Sequence, residues 1–267
     1  MKIAFVGAGK MAEALIARLP DKKNIRASDV SRERLKALCA KYRIKAVKDN
    51  LDAFEAAEII ILAVKPQQMA EVLQGVGSRG IGSGKRKLII SIAAGIPLKY
   101  LQKMLPNCSV VRAMPNNPAL IGQGMTALAK GKRVTNYELR ITRKIFEAVG
   151  EVVEVPEKWM DAVTGLSGSG PAFVYQMIEV MAAGGVKAGL PKKIAAKLAL
   201  QTVFGAAATV KETGRDPEEL RAMVTSPGGT TIEGLNVLER RLFAAALIEA
   251  IGAAARKSNH LSKQWSI

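Results

Sequence analysis

The run that most restricts this chain is Gly7-Ala8-Gly9-Lys10-Met11-Ala12, set between the apolar stretch Ile3-Ala4-Phe5-Val6 and a helical pattern from Met11 to Leu19. A G-x-G-x-x-G/A pattern carries meaning where a strand ends and a helix begins, and it has that setting here. Gly7 permits the tight turn, Gly9 lets the backbone approach a pyrophosphate, and Ala12 lets the helix pack on the strand. The free N–H groups and the dipole at the helix start favour the anion. Gly7, Ala8, Gly9, Lys10 and Met11 are therefore expected to receive the phosphates of a dinucleotide.

The following segments alternate in the same way: Ile25 to Ala27 before Arg32 to Lys41, Ile59 to Val64 before Gln68 to Gly75, and then Leu88 to Ile92. Such alternation predicts a parallel sheet with helices on both faces. Ile59-Ile60-Ile61-Leu62-Ala63-Val64 is apolar at every position, as a central strand covered on both sides should be. From Ser169 the chain turns rich in Ala, Leu and Met, with breaks at Gly189-Leu190-Pro191, Gly214-Arg215-Asp216-Pro217 and Ser226-Pro227-Gly228-Gly229. Pro191 and Pro217 suit first helical turns, and Gly189 and Gly214 suit C-caps. The expected architecture is an α/β Rossmann-like parallel-sheet domain over residues 1–155, followed by an all-α domain over residues 156–267. The helix from Pro171 to Gly185 is apolar on nearly every side and must be buried on every side. One small domain cannot do this, so a homodimer packed through its helical domains is expected.

Composition removes several function classes. The 267 residues are 49% hydrophobic and need no disulfide or metal staple. Cys39 and Cys108 have no C-x-x-C spacing and His260 is the only histidine, which excludes zinc sites, Cys/His nucleophile pairs and Ser-His-Asp triads. The net charge of +17 is concentrated in residues 1–155, with 27 basic and 13 acidic side chains. Basic residues there stand singly or in short groups such as Lys22-Lys23, and aromatics are only 4%, which argues against nucleic acid as a partner. Attraction of an anionic cofactor accounts for the field more simply. With no apolar run of about 18 residues and a strand at the start of the chain, a cytoplasmic protein with no membrane partner is expected.

Asp29, twenty residues beyond Gly9, is positioned to accept from a ribose 2′-hydroxyl and to favour NADH. Ser28, Arg32 and Arg34 pull towards NADPH, whose 2′-phosphate they could hold. On this reading Asp29→Ser should shift preference towards NADPH. A second feature is Thr225-Ser226-Pro227-Gly228-Gly229-Thr230-Thr231-Ile232-Glu233, where Thr230 and Glu233 have capping-box spacing. Amides at this helix start could bind a carboxylate, with the Thr230 or Thr231 hydroxyl beside them. Ser167-Gly168-Ser169-Gly170-Pro171 is another glycine-rich helix start. Alcohol dehydrogenation needs a proton acceptor or a metal, and the lone His260 is poorly placed to act as one. A cyclic imine such as a pyrroline collects its own proton from water, and its reduction needs little beyond positioning and a hydrogen bond.

Together these pieces resemble the pyrroline-5-carboxylate reductases nearly end to end: Gly7 to Ala12, Ala63-Val64-Lys65-Pro66-Gln67, Ser91-Ile92-Ala93-Ala94-Gly95, Arg112-Ala113-Met114-Pro115-Asn116, Thr164 to Pro171 and Ser226 to Glu233. The resemblance implies a helical domain interlocked with a dimer partner, and higher assembly such as a pentamer of dimers, a homodecamer. It implies that Ala63, Val64, Lys65, Pro66, Ala93 and Ala94 line the nicotinamide side of NADPH or NADH, and that Ser28 and Asn50 meet the adenosine phosphate. It implies that Ser226, Gly228, Gly229, Thr230 and Thr231 hold the carboxylate of 1-pyrroline-5-carboxylate. Thr231 would bond the ring nitrogen, with Glu157 near the substrate. The reaction implied is reduction of the imine to L-proline, the last step of proline biosynthesis. Lys10 and Asn117 depart from the family pattern, and Asp29 beside Ser28 keeps the cofactor choice open.

Two alternatives differ in class. A 3-hydroxyacid dehydrogenase expects a lysine early in the helix after its glycine-rich segment, where this chain has Ala172-Phe173-Val174-Tyr175-Gln176. A non-catalytic dinucleotide-binding sensor would keep the glycine loop and show no turnover.

Overall fold

The computed structural model describes residues 1–77 and 86–265. Among these, eight strands form one sheet in the order β3-β2-β1-β4-β5-β6-β7-β8. They are β1 (Ile3–Val6), β2 (Ile25–Ser28), β3 (Lys45–Ala46), β4 (Ile59–Leu62), β5 (Leu88–Ser91), β6 (Ser109–Pro115), β7 (Gly124–Lys130) and β8 (Gly150–Glu154). β4 is buried at all four positions, and the pleat divides it between two cores. Ile59 and Ile61 join Phe5, Ile90 and Val111 on one face, and Ile60 and Leu62 join Val6, Ile89 and Val110 on the other.

The helices of this part are α1 (Lys10–Arg18), α2 (Arg32–Tyr42), α3 (Asn50–Ala56), α4 (Met69–Gly77), α5 (Leu98–Met104) and α6 (Asn136–Glu147). β1 to β6 are parallel, as expected, but β7 runs antiparallel to β6 and β8 follows β7. The sheet is therefore mixed. β6 and β7 are joined only by the 3-10 turn Asn117–Ile121, whereas a parallel pairing requires a crossover of a dozen or more residues.

The chain divides into two compact units, Met1–Ser169 with Gly252–Ile267, and Gly170–Ile251. By contacts the sheet unit reaches past Pro156 to Ser169. The intervening segment, with α7 (Met160–Val163) and the π-turn Thr164–Gly168, belongs to the sheet unit: Met160 is fully buried in its core and Asn116 donates to the Ser167 carbonyl. The second unit holds α8 (Gly170–Lys187), α9 (Lys192–Thr213), α10 (Pro217–Met223), α11 (Thr230–Arg240) and the first part of α12 (Phe243–Lys263). Its punctuation follows expectation: Pro217 opens α10 behind an Asp216 cap, and Gly214 closes α9 at φ +65°. Pro191 is the N-cap of α9 rather than its first helical residue.

α8 has no buried residue within the single chain. Val180 is 61% exposed, Phe204 65% and Ile248 71%, while Ala195 and Ala199 alone are buried hydrophobics among the unit's described residues. The unit thus leaves uncovered the apolar surface that its sequence says must be covered. No helix among the described residues is long and apolar enough to cross a membrane.

Candidate active site

The chain enters the sheet at β1, builds outward to β3, then returns to β4 on the other side of β1. This reversal is the switch point at which such sheets bind ligands, outside the carboxyl ends of the strands. Gly7 occupies it at φ +100°, and a Cβ there would lie 2.7 Å from the Ala63 carbonyl oxygen. Both the left-handed backbone and the close approach of the β4 loop demand glycine. Gly9 differs: it caps α1 in an extended conformation with no side-chain cap, and nothing lies within 4 Å of a Cβ placed on it. No packing among the described residues requires glycine at position 9, which fits a backbone kept clear for a phosphate beside the uncapped N–H groups of α1. Ala12 is fully buried, as the fingerprint requires, and the Lys10 side chain is exposed and 4.0 Å from Glu13.

The other expected cofactor residues gather at the same edge. Ala63 donates its N–H to Val6, and Ile92 donates to Leu62, which joins the loops carrying Ala63, Val64, Lys65 and Pro66 to the one carrying Ala93 and Ala94. Ser28 is buried and its Oγ donates to Asn50 Oδ1 at 2.8 Å, so these two form one unit. A cleft of about 880 Å³ beside them is bounded by Ser28, Asp29, Arg32, Lys36, Lys48 and Asn50.

Asp29 has a partner that the sequence did not reveal. Its Oδ2 accepts the Ala8 N–H at 2.6 Å and its Oδ1 accepts the Ser31 N–H at 2.8 Å. The carboxylate braces the glycine loop against the start of α2. Asp29→Ser therefore removes a loop brace, whatever it does to cofactor preference.

A charged cluster missed in the sequence lies under the β5–α5 loop. Arg112, at the middle of β6, is 4% exposed. Its guanidinium lies 3.6 Å from Glu157 and 3.9 Å from Asp161. Burial pulls its pKa below the ordinary value, and the carboxylates of Glu157 and Asp161 oppose that pull. Glu157 Oε1 also accepts the Leu98 N–H at 2.6 Å, so the residue implied to lie near the substrate is engaged in bracing the start of α5. The available signal was one arginine inside the otherwise apolar run Val110-Val111-Arg112-Ala113.

The Ser226 to Thr231 segment belongs to the second unit. Ser226 and Gly229 close a turn through the Gly229 N–H and Ser226 carbonyl, with Gly228 at φ +70°. A helix starts here as expected, but the capping box between Thr230 and Glu233 is absent. Gly229 is the N-cap, with φ −81° and ψ 171° and no side-chain cap, so Thr230 already lies within the helix. The first N–H groups of α11 therefore lack a side-chain acceptor, and the Thr231 hydroxyl stands in the same first turn. Ser167-Gly168-Ser169 forms the π-turn and its exit, and α8 starts directly after it at Gly170.

A family model described as pyrroline-5-carboxylate reductase dimerisation matches residues 157–261, and one described as NADP oxidoreductase, coenzyme F420-dependent, matches residues 2–95. A pyrroline-5-carboxylate reductase from Synechocystis is 47% identical over 99% of both chains, and one from Methanosarcina acetivorans is 46% identical over 98% of both. The crystal structure of the Plasmodium falciparum pyrroline carboxylate reductase with NADP bound superposes with a TM-score of 0.88 at 32% identity, over 98% of each chain. With 46–47% identity running over nearly the whole length of both curated relatives, this protein belongs to the pyrroline-5-carboxylate reductase family.

Proposed function

We propose that the protein reduces 1-pyrroline-5-carboxylate to L-proline with NADPH or NADH, the closing step of proline biosynthesis, in the cytoplasm. The observation that carries this reading is the open Gly9 cradle at the switch point, with the two nicotinamide-side loops hydrogen-bonded at the same edge. When bound, the reduced nicotinamide supplies a hydride from its C4 to the imine carbon. Gly7 to Met11 bind the pyrophosphate through backbone N–H groups. Ala63 to Pro66, with Ala93 and Ala94, shape the wall against the ring, and Ser28 and Asn50, with Arg32, hold the adenosine end. The uncapped amides of Gly229 to Thr231, with Ser226 and Gly228, bind the substrate carboxylate. Thr231 orients the ring nitrogen, whose proton comes from water.

The working form is a homodimer, supported by the uncovered apolar faces of α8, α9 and α12 and by the dimerisation family match. Family resemblance extends this to a pentamer of dimers, which sedimentation would read directly. The decisive assay is oxidation of NADH and NADPH at 340 nm with and without the pyrroline. Oxidation that depends on the pyrroline supports the reading, and folded dimer with none overturns it.

A further inference from the structure

We infer that the end of α12 is a positioning element for the loop between β5 and α5: residues 258–265 fix residues 93–100, the loop and the first turn of α5, which on the function proposed above lie against the nicotinamide ring. Three features hold it: two direct contacts from residues more than 150 positions away in sequence, and a polar relay through Asp161, Arg112 and Glu157.

The first is steric. Gly95 has φ +73°, and a Cβ there would lie 3.1 Å from Leu261 Cβ and 3.7 Å from the Ser262 nitrogen, so the helix lies directly over this glycine. The second is aromatic. The Tyr100 and Trp265 rings are 4.7 Å apart between centroids, tilted by 59°, and Trp265 packs on the core cluster that includes Ile96, Leu98 and Leu101. The third is polar. Asp161 accepts from Ser258 Oγ at 2.7 Å, Asn259 Nδ2 at 3.0 Å and Ser262 Oγ at 3.3 Å, which anchors the helix end. Arg112 joins that anchor to Glu157, and Glu157 accepts the Leu98 N–H where the loop enters α5. One buried guanidinium thus connects the helix anchor to the loop.

Residues 93–95 are two alanines and a glycine, so this stretch has no large side chain of its own to define its position. Hydride transfer is sensitive to displacements of about 1 Å in the acceptor's surroundings, so whatever fixes this loop sets how the ring is presented. Trp265, Leu261 and Asp161 are positioning residues in this scheme.

The test uses the full chain, with each substrate varied at a saturating concentration of the other. Trp265→Ala and Asp161→Asn should each raise KM for the reduced cofactor about five- to tenfold and lower kcat, with KM for the pyrroline within about twofold of wild type. Trp265→Phe should restore wild-type values. Leu139→Ala, on the buried face of α6, is the control and should lower Tm with cofactor KM unchanged. If Trp265→Ala and Asp161→Asn behave like this control, lowering Tm alone, the inference is overturned. Cofactor Kd from nicotinamide fluorescence keeps the two claims separate. A wild type that binds cofactor but never reduces the pyrroline defeats the proposed function, while weaker cofactor binding in Trp265→Ala would still support the positioning role and unchanged binding would defeat it.

Discussion

At the scale of single residues, what a side chain is bonded to decides its role more than what it is. Asp29 stands where an acceptor for the ribose is expected, yet both its oxygens already take backbone N–H groups, from Ala8 and from Ser31. A charge-assisted bond of this kind contributes about 1.5 to 3 kcal/mol. Asp29→Ala should therefore raise KM for NADH and NADPH together, by about tenfold or more if the loop loosens by that energy. Titrating both cofactors against the variant checks this, and loss confined to NADH would restore the ribose role. Thr231→Ala should lower kcat/KM about ten- to a thousandfold, corresponding to the loss of one orienting hydrogen bond. A near-wild-type rate in the steady-state assay would remove Thr231 from the site. The residue types Asp29 and Glu157 were legible from spacing and from family resemblance, but their partners were not. Those partners are backbone amides whose direction depends on the loop path, and Arg112, whose neighbours come from segments 45 and 49 residues away in the sequence.

At the scale of elements, two identical signatures have opposite outcomes. Thr135-Asn136-Tyr137-Glu138 forms a full capping box, with the Glu138 N–H on Thr135 Oγ1 at 3.2 Å and the Thr135 N–H on Glu138 Oε2 at 2.8 Å. Thr230-Thr231-Ile232-Glu233 has the same pattern and forms none, because the Ser226 turn delivers an extended Gly229 that takes the cap position first. Thr135→Ala should cost about 1 kcal/mol in urea unfolding, and Thr230→Ala a few tenths. Although burial acts the other way, the Thr135 N–H and hydroxyl, with Ser109 and Arg86, hold the Glu138 carboxyl below its ordinary pKa. A carboxylate depressed in the folded state stabilises above its unfolded pKa, and that stability is lost as pH falls through the folded value. The difference between wild type and Thr135→Ala should accordingly shrink below about pH 4. The reversal at β7 was likewise hidden. Apolar content identifies a strand, but its direction was set by the short 3-10 connection at Asn117–Ile121, which carries no periodic signal.

At the scale of the whole molecule, the parallel part of the sheet and the glycine loop were legible because each rests on a local pattern with a fixed period or spacing. The apolar character of the 171–185 helix was legible too, and in the single chain it stays uncovered. If a second copy covers it, Ile248→Glu, a charge on a side chain 71% exposed in one chain, should shift the protein to monomer at micromolar concentration in sedimentation. A wild type that sediments only as monomer would contradict the dimer. Imine reduction is read out by NADH and NADPH oxidation at 340 nm with 1-pyrroline-5-carboxylate, measured alongside proline formed. Equal amounts of oxidised cofactor and proline, and no oxidation without the pyrroline, are the predicted result. Folded, cofactor-binding protein that forms no proline with either cofactor would contradict it.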